Sequence, residues 1–316
     1  MKRCAVFLAA LLIDPGGLAQ AQTGAGKPAL RSSIAETPKP DAAFAAFQRG
    51  LYVSALSEAM KRIGADRKDA AAMTLVGELY SQGLGVKRDY SEAARWYRLA
   101  AAQDNREAVF ALALLTLDGQ GVTKDKKAAA VLFEQAAARG HGGALYNLGI
   151  LALDGEGGVQ DFKSAARYFQ RAADAGNADA AYSLGILYRE GQGVERSPPN
   201  AARWLKRAAD EKNLGAMVEY AIILFNGNGV PKDEAAGAKL FLAAAARDNP
   251  IAQNRAARQQ LAGRGVPADK VKALKWHLLA RAAGLNDEWL DGALNDLNDD
   301  ERIKVEEAVR RHVGDP

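Results

Sequence analysis

Apolar residues in this chain fall in columns that return every 36 positions. One column is alanine throughout, at Ala72, Ala108, Ala144, Ala180, Ala216 and Ala252, which points to a close helix contact. Four places on stand Val76, Leu112, Leu148, Leu184, Tyr220 and Ala256, and three further on Leu79, Leu115, Leu151, Leu187, Ile223 and Gln259. Positions i, i+4 and i+7 lie on one face of a helix, here helix A. A second stripe carries Trp96, Leu132, Tyr168, Trp204, Leu240 and Trp276, with alanine four places later in every copy, and predicts helix B. Between the two stripes lie glycine pairs at the same interval: Gly83/Gly85, Gly119/Gly121, Gly155/Gly157, Gly191/Gly193, Gly227/Gly229 and Gly263/Gly265.

The loop chemistry agrees with a helix–loop–helix unit. Glycine accepts the left-handed backbone that ends a helix, and the second glycine is expected to permit a tight reversal that lays helix B on helix A. An aspartate then precedes each second helix, at Asp89, Asp125, Asp161, Asp233 and Asp269, where its carboxylate can accept N–H groups of the first turn. The fourth unit has Ser197-Pro198-Pro199 instead, a serine cap followed by proline at the first helical position. Calcium would need several oxygens converging in one loop, and each loop offers one.

The segments Ala144-x-x-x-Leu148-Gly149-x-x-x-x-x-Gly155-x-Gly157 and Leu184-Gly185-x-x-Tyr188-x-x-Gly191-x-Gly193-Val194, with Ala201-x-x-Trp204-x-x-x-Ala208-Ala209, resemble the Sel1-like repeat, a relative of the tetratricopeptide repeat. The resemblance implies an all-α, right-handed superhelical solenoid of about six 36-residue helix pairs over residues 70–285, and a non-catalytic adaptor for other proteins. Two departures stand out. The third unit has an extra glycine, Gly158, and the sixth loses helix A apolarity at Arg255, Arg258 and Gln259, which predicts a partly solvated end repeat. Residues 41–69 keep a helical pattern through Phe44, Phe47, Leu51, Leu56 and Met60 and are expected to form a degenerate N-terminal capping repeat. Residues 286–316 leave the phase and turn acidic, as a capping segment with a polar outer face would.

Residues 1–21 read as an export signal: Lys2 and Arg3, an apolar run from Ala5 to Ile13 interrupted afterwards by Asp14, and the small-residue site Ala19-Gln20-Ala21, with cleavage after Ala21. A flexible linker over 22–40 and a periplasmic or secreted location follow as expectations. A cytosolic adaptor is the alternative if the N-terminus is retained. Cys4 is the only cysteine and precedes the apolar run, so a disulfide framework and a thiol nucleophile are both excluded from the mature chain. The exported Sel1-like proteins described as penicillin-interacting carry a cysteine pair in each repeat, so that enzymatic alternative is disfavoured.

A formal net charge of +4 spread over 316 residues gives no basic run, which argues against nucleic acid. His141, His277 and His312 stand in unrelated contexts. His141 falls in the turn column with Asn105, Asn177, Asn213 and Asn249, and His277 is expected to pack between helices with a polar edge outward. No glycine loop continues as Gly-Lys-Ser/Thr, and no strand precedes one. No cofactor, metal or membrane span is expected, and the chain is expected to be a monomer.

The remaining surface for function is the inner curve of the solenoid, if helix A follows tetratricopeptide geometry. Its columns read Thr74, Phe110, Tyr146, Tyr182, Val218, Asn254; Glu78, Leu114, Ile150, Ile186, Ile222, Arg258; and Ser81, Leu117, Leu153, Arg189, Phe225, Leu261. Apolar in units two to five, this stripe suits a protein or peptide partner. Phe110, Leu114, Tyr146, Ile150, Tyr182, Ile186, Arg189 and Phe225 are candidate contacts, with Asn147, Ser183 and Glu219 beside the aromatics to bind peptide backbone. Packing between neighbouring A helices could consume the same side chains.

Overall fold

The structure is a computed structural model that describes residues 41–155 and 159–314. The expected signal and linker, Gly157 and Gly158 of the third loop, and the last two residues lie outside the described residues. Among the described residues there are sixteen α-helices and no strand beyond an isolated bridge residue at Val159.

A short pair, α1 (Ala42–Gln48) and α2 (Tyr52–Ala65), comes first. The six A helices are α3 (Ala70–Gln82), α5 (Arg106–Asp118), α7 (Gly142–Asp154), α9 (Ala178–Glu190), α11 (Leu214–Asn226) and α13 (Pro250–Ala262). Their B partners are α4 (Tyr90–Ala101), α6 (Lys126–Ala138), α8 (Phe162–Asp174), α10 (Pro198–Asp210), α12 (Glu234–Ala245) and α14 (Lys270–Ala282). Helices α15 (Glu288–Asn295) and α16 (Asp299–Val313) end the array, and α16 packs on α14. From α1 to α14 each helix packs on the one before and the one after it in the chain, the contact pattern of a solenoid.

The caps form as the sequence predicts. Asp89, Asp125, Asp161, Ser197, Asp233 and Asp269 each accept a first-turn N–H of their B helix, with Pro198 in the first turn of α10. Helix A has its own column of caps at Asp69, Asn105, His141, Asn177, Asn213 and Asn249. His141 replaces asparagine by accepting the Ala144 N–H on Nδ1 at 3.1 Å, which leaves the proton on Nε2, 2.8 Å from Glu107 Oε2. That contact outweighs the upward push of burial and, with Arg106, holds the Glu107 carboxyl below its ordinary range.

Small residues set the distance between A and B. The alanine column from Ala72 to Ala252 is fully buried, and at Gly149 an added Cβ would lie 2.4 Å from the Phe169 ring. Trp96, Trp204 and Trp276 are buried, in keeping with their shared column.

The second loop shows what each glycine does. Gly119 ends α5 in the left-handed region, φ 77°, and returns its N–H to Leu115. Gly121, φ 67°, lies against the preceding repeat, and a Cβ there would come within 2.2 Å of the Tyr90 carbonyl carbon, at the start of α4. The same approach joins the loop of every described pair to the first turn of the previous B helix, and at Gly85 that helix is α2. The second glycine thus serves a contact between repeats as well as the reversal within one. A further left-handed position follows helix B, where Gly140, Gly176 and Gly284 alternate with Asp104, Lys212 and Asp248, the last three at φ 58–61°.

Two main cores result. Ala108, Leu112 and Leu115 of α5 pack toward the N-terminal repeats, while Val109 and Ala113 of the same helix belong to a core that runs on to Leu290.

Two expectations are corrected at the C-terminal end. The partial solvation expected of the sixth A helix holds at Arg255 and Arg258, which are exposed, but fails at Gln259, which is buried with Gln253 and Gln260. Segment 285–289 covers this helix: Asp287 receives Arg258 at 2.6 and 2.9 Å and Asn254 at 2.8 Å, and caps α15 through the Leu290 N–H. His277 has no outward edge, since α15 lies over it and Asp291 Oδ1 sits 2.8 Å from its Nε2. Burial pushes the Asp287 carboxyl up, yet the donors from Arg258 and Asn254 outweigh it and its pKa lies below the ordinary value.

Three outcomes follow for stability. Gly121→Ala should cost roughly 2–4 kcal/mol, from the left-handed backbone and the steric overlap together, read by chemical denaturation. Lys212→Gly should raise stability by about 1 kcal/mol by relieving the left-handed lysine. For Asp287 the folded pKa is depressed, so its contribution is complete above the unfolded value of about 3.9 and is lost as pH falls through the folded value. Asp287→Asn should therefore be less stable than the parent at neutral pH, with the gap closing as pH falls below the unfolded value and through the depressed folded one.

Candidate functional site

The stripe residues lie on one face of four successive A helices because four residues advance little more than one turn. Phe110 and Leu114 stand on α5, Tyr146 and Ile150 on α7, Tyr182, Ile186 and Arg189 on α9, and Ile222 and Phe225 on α11. All are half-buried except Ile150, which is exposed, while Val218 in the Tyr182 column is buried.

Phe110 and Tyr182 spend part of their surface on the next repeat, while Tyr146 and Phe225 pack on helix B of their own. Phe110 stacks on the imidazole of His141, with centroids 4.1 Å apart, above the first turn of α7. Tyr182 covers Gly215 at the start of α11, where a Cβ would stand 3.2 Å from its ring. Tyr146 and Phe225 each tilt against a core phenylalanine, Phe169 at 5.7 Å and Phe241 at 5.8 Å. Inter-repeat packing and an open apolar face therefore coexist in Phe110 and Tyr182.

The polar neighbours differ from expectation. Asn147 is buried and donates to the Gly143 carbonyl at 2.9 Å, because the next residue along a helix is turned about 100° away from Tyr146 and into the packing. It is withdrawn as a surface contact. Ser183 donates its hydroxyl to Asp179 of its own helix, and Glu219 receives Arg189 at 2.5 Å. Arg189 also meets Glu190 at 2.8 Å, so the one cation of the stripe is matched on both sides. Burial, with Glu219 behind it, raises the Tyr182 hydroxyl pKa, so the phenol stays neutral near pH 7.

At the N-terminal end the stripe turns polar, where Tyr97 donates to Glu78 at 2.8 Å. At the other end it opens into a cavity of about 580 Å³ between α11, α13 and α15, lined by Ile222, Phe225, Arg255, Arg258, Gln259, Arg264 and Trp289 among others. Trp289 is 49% exposed and lies under Arg258, 5.6 Å from the ring centroid, while Arg264 stands 5.7 Å from the Phe225 ring. Arg264, with Lys232 behind it, holds the Glu234 carboxyl down to about 2. Sequence reasoning missed this corner because Trp289 lies outside the repeat phase. Arg255 and Arg258 were visible there only as lost apolar positions.

Among the described residues no group of His, Cys, Asp or Glu could hold a metal ion, and no helix is long and apolar enough to cross a membrane. The histidines have structural uses: His141 caps a helix, His277 is buried against Asp291, and His312 lies 3.0 Å from Asp248 and edge-on to Trp276.

The Sel1 repeat pattern matches residues 70–105, 106–141, 143–177, 178–213, 215–249 and 250–285. Among solved structures, a Sel1 repeat protein from Oxalobacter formigenes is 29% identical, with a TM-score of 0.69, over 76% of this chain and 98% of its own. The protective antigen c5321 of uropathogenic Escherichia coli, described as having an SLR fold, is 25% identical with a TM-score of 0.53, over 84% of this chain and 64% of its own. No match was found among the curated proteins. Six matched repeats cover more than half of the sequence, and with the helix pairs, caps and loop glycines described above they show that the chain belongs to the Sel1 repeat family, whose solenoids serve in general as non-catalytic protein-interaction scaffolds.

Proposed function

We propose that this protein is a regulatory adaptor of the bacterial envelope that binds a protein or peptide partner along the concave helix A face, as a monomer in the periplasm. The observation that carries the reading is the apolar stripe across four successive repeats, whose rings stay half-exposed after packing on their neighbours. Such a contiguous apolar strip on a rigid surface supports association, and its even spacing suits an extended or helical peptide. The export signal expected over residues 1–21 supports the location, and the start of the native chain at Gln22 rather than Met1 would test it.

The test of the binding face uses a partner captured from envelope extract and identified. Tyr146→Ala with Tyr182→Ala should weaken its binding by at least about 2 kcal/mol, since aromatic anchors carry much of the affinity of such surfaces. Calorimetry on the folded variant reads this directly. A large loss of stability with unchanged affinity of the folded fraction would place the binding face elsewhere.

A further inference from the structure

The sixth A helix breaks the repeat pattern in a way that packing does not explain. Where the five earlier repeats put Leu79, Leu115, Leu151, Leu187 and Ile223, this one puts Gln259. Its side chain is all but enclosed, the residue being 8% exposed, and Oε1 has no hydrogen-bond partner among the described residues. An amide buried in place of leucine, with an unsatisfied acceptor, is destabilising. It lines the cavity at the end of the apolar stripe.

Charge around the cavity is unbalanced in one direction. Arg258 is matched by Asp287, and Arg264 by Glu234 at 2.6 Å. Arg255 is exposed and has neither a hydrogen bond nor an ion pair among the described residues. No carboxylate lines the cavity on the Phe225 side. Asp287 and Glu288 line only the neighbouring opening of about 830 Å³, which shares Arg255, Arg258 and Trp289. Ile222, Phe225 and Trp289 give the cavity apolar lining, with Arg264 beside the Phe225 ring and Arg258 over that of Trp289.

We propose that this cavity binds an acidic peptide segment, with a carboxylate on Arg255, a backbone N–H on Gln259 Oε1 and an apolar side chain against the lining of Ile222, Phe225 and Trp289. A free phosphate or a nucleic-acid backbone fits less well, because neither supplies the N–H donor that Oε1 lacks nor the apolar group that the rings would cover. The proposal rests on the adaptor reading but adds a separate subsite, and names the chemistry of its ligand.

The experiment uses the full chain and two synthetic hexapeptides, one alternating glutamate with leucine and the other lysine with leucine, each labelled for fluorescence anisotropy. The glutamate peptide should bind and the lysine peptide should not, with affinity falling as salt is raised. Arg255→Glu, at an exposed and unpaired position, should keep the helical spectrum and lose at least tenfold in affinity. Gln259→Leu restores the repeat pattern, so it should raise the melting temperature while weakening the peptide several-fold. Tyr146→Ala with Tyr182→Ala should leave the hexapeptide within twofold of the parent, which separates this subsite from the stripe. Equal binding of both peptides, an unchanged affinity for Arg255→Glu, or a Gln259→Leu variant that gains stability at unchanged affinity would overturn the proposal. Concentration-dependent self-association that is abolished by Arg255→Glu would overturn it in favour of a second copy of the chain.

Discussion

The contact on which the array depends is the press of each loop against the start of the preceding B helix. At Gly121 and its equivalents the backbone of one repeat lies where the next carbon atom of any other side chain would have to go. This sets the spacing and angle of neighbouring repeats, and the alanine and phenylalanine columns only fill the space that it defines. A solenoid has no long-range closure to correct an error, so each seam must be fixed locally.

Much of the fold was legible because its determinants are local. The 3.6-residue period, the glycine that ends helix A and the Asp or Ser that begins helix B act within one unit, and every one of these caps formed. The second glycine was legible in position but not in purpose, because its counterpart stands in the preceding repeat. The candidate stripe was legible as a set of columns, since translation by one repeat keeps a side chain on the same face. What failed was the step of one residue from Tyr146 to Asn147, which turned the amide into the packing.

The C-terminal end was the least legible region. Repeat arithmetic gives no phase for Asp287, which appeared only as one acidic residue among several. Its two-sided use, capping α15 while gripping Arg258 and Asn254, rests on a contact across nearly one repeat length. The same placement buries His277 and Gln259 and puts Trp289 at the mouth of the cavity. A terminal repeat is where departures from the repeat pattern cost the array least, because only one neighbour must accommodate them.

Helix α5 is the element whose buried residues divide between the two main cores. Coupling between the two blocks therefore runs chiefly through this rod of 13 residues, Arg106–Asp118, with Leu132 of α6 beside it. Nearest-neighbour coupling of this kind lets the N-terminal block loosen while the larger block beyond α5 holds. The stripe from Tyr146 to Phe225 and the basic cavity both lie in that larger block, so the surface proposed to meet partners can stay intact while the leading end of the chain frays and re-forms.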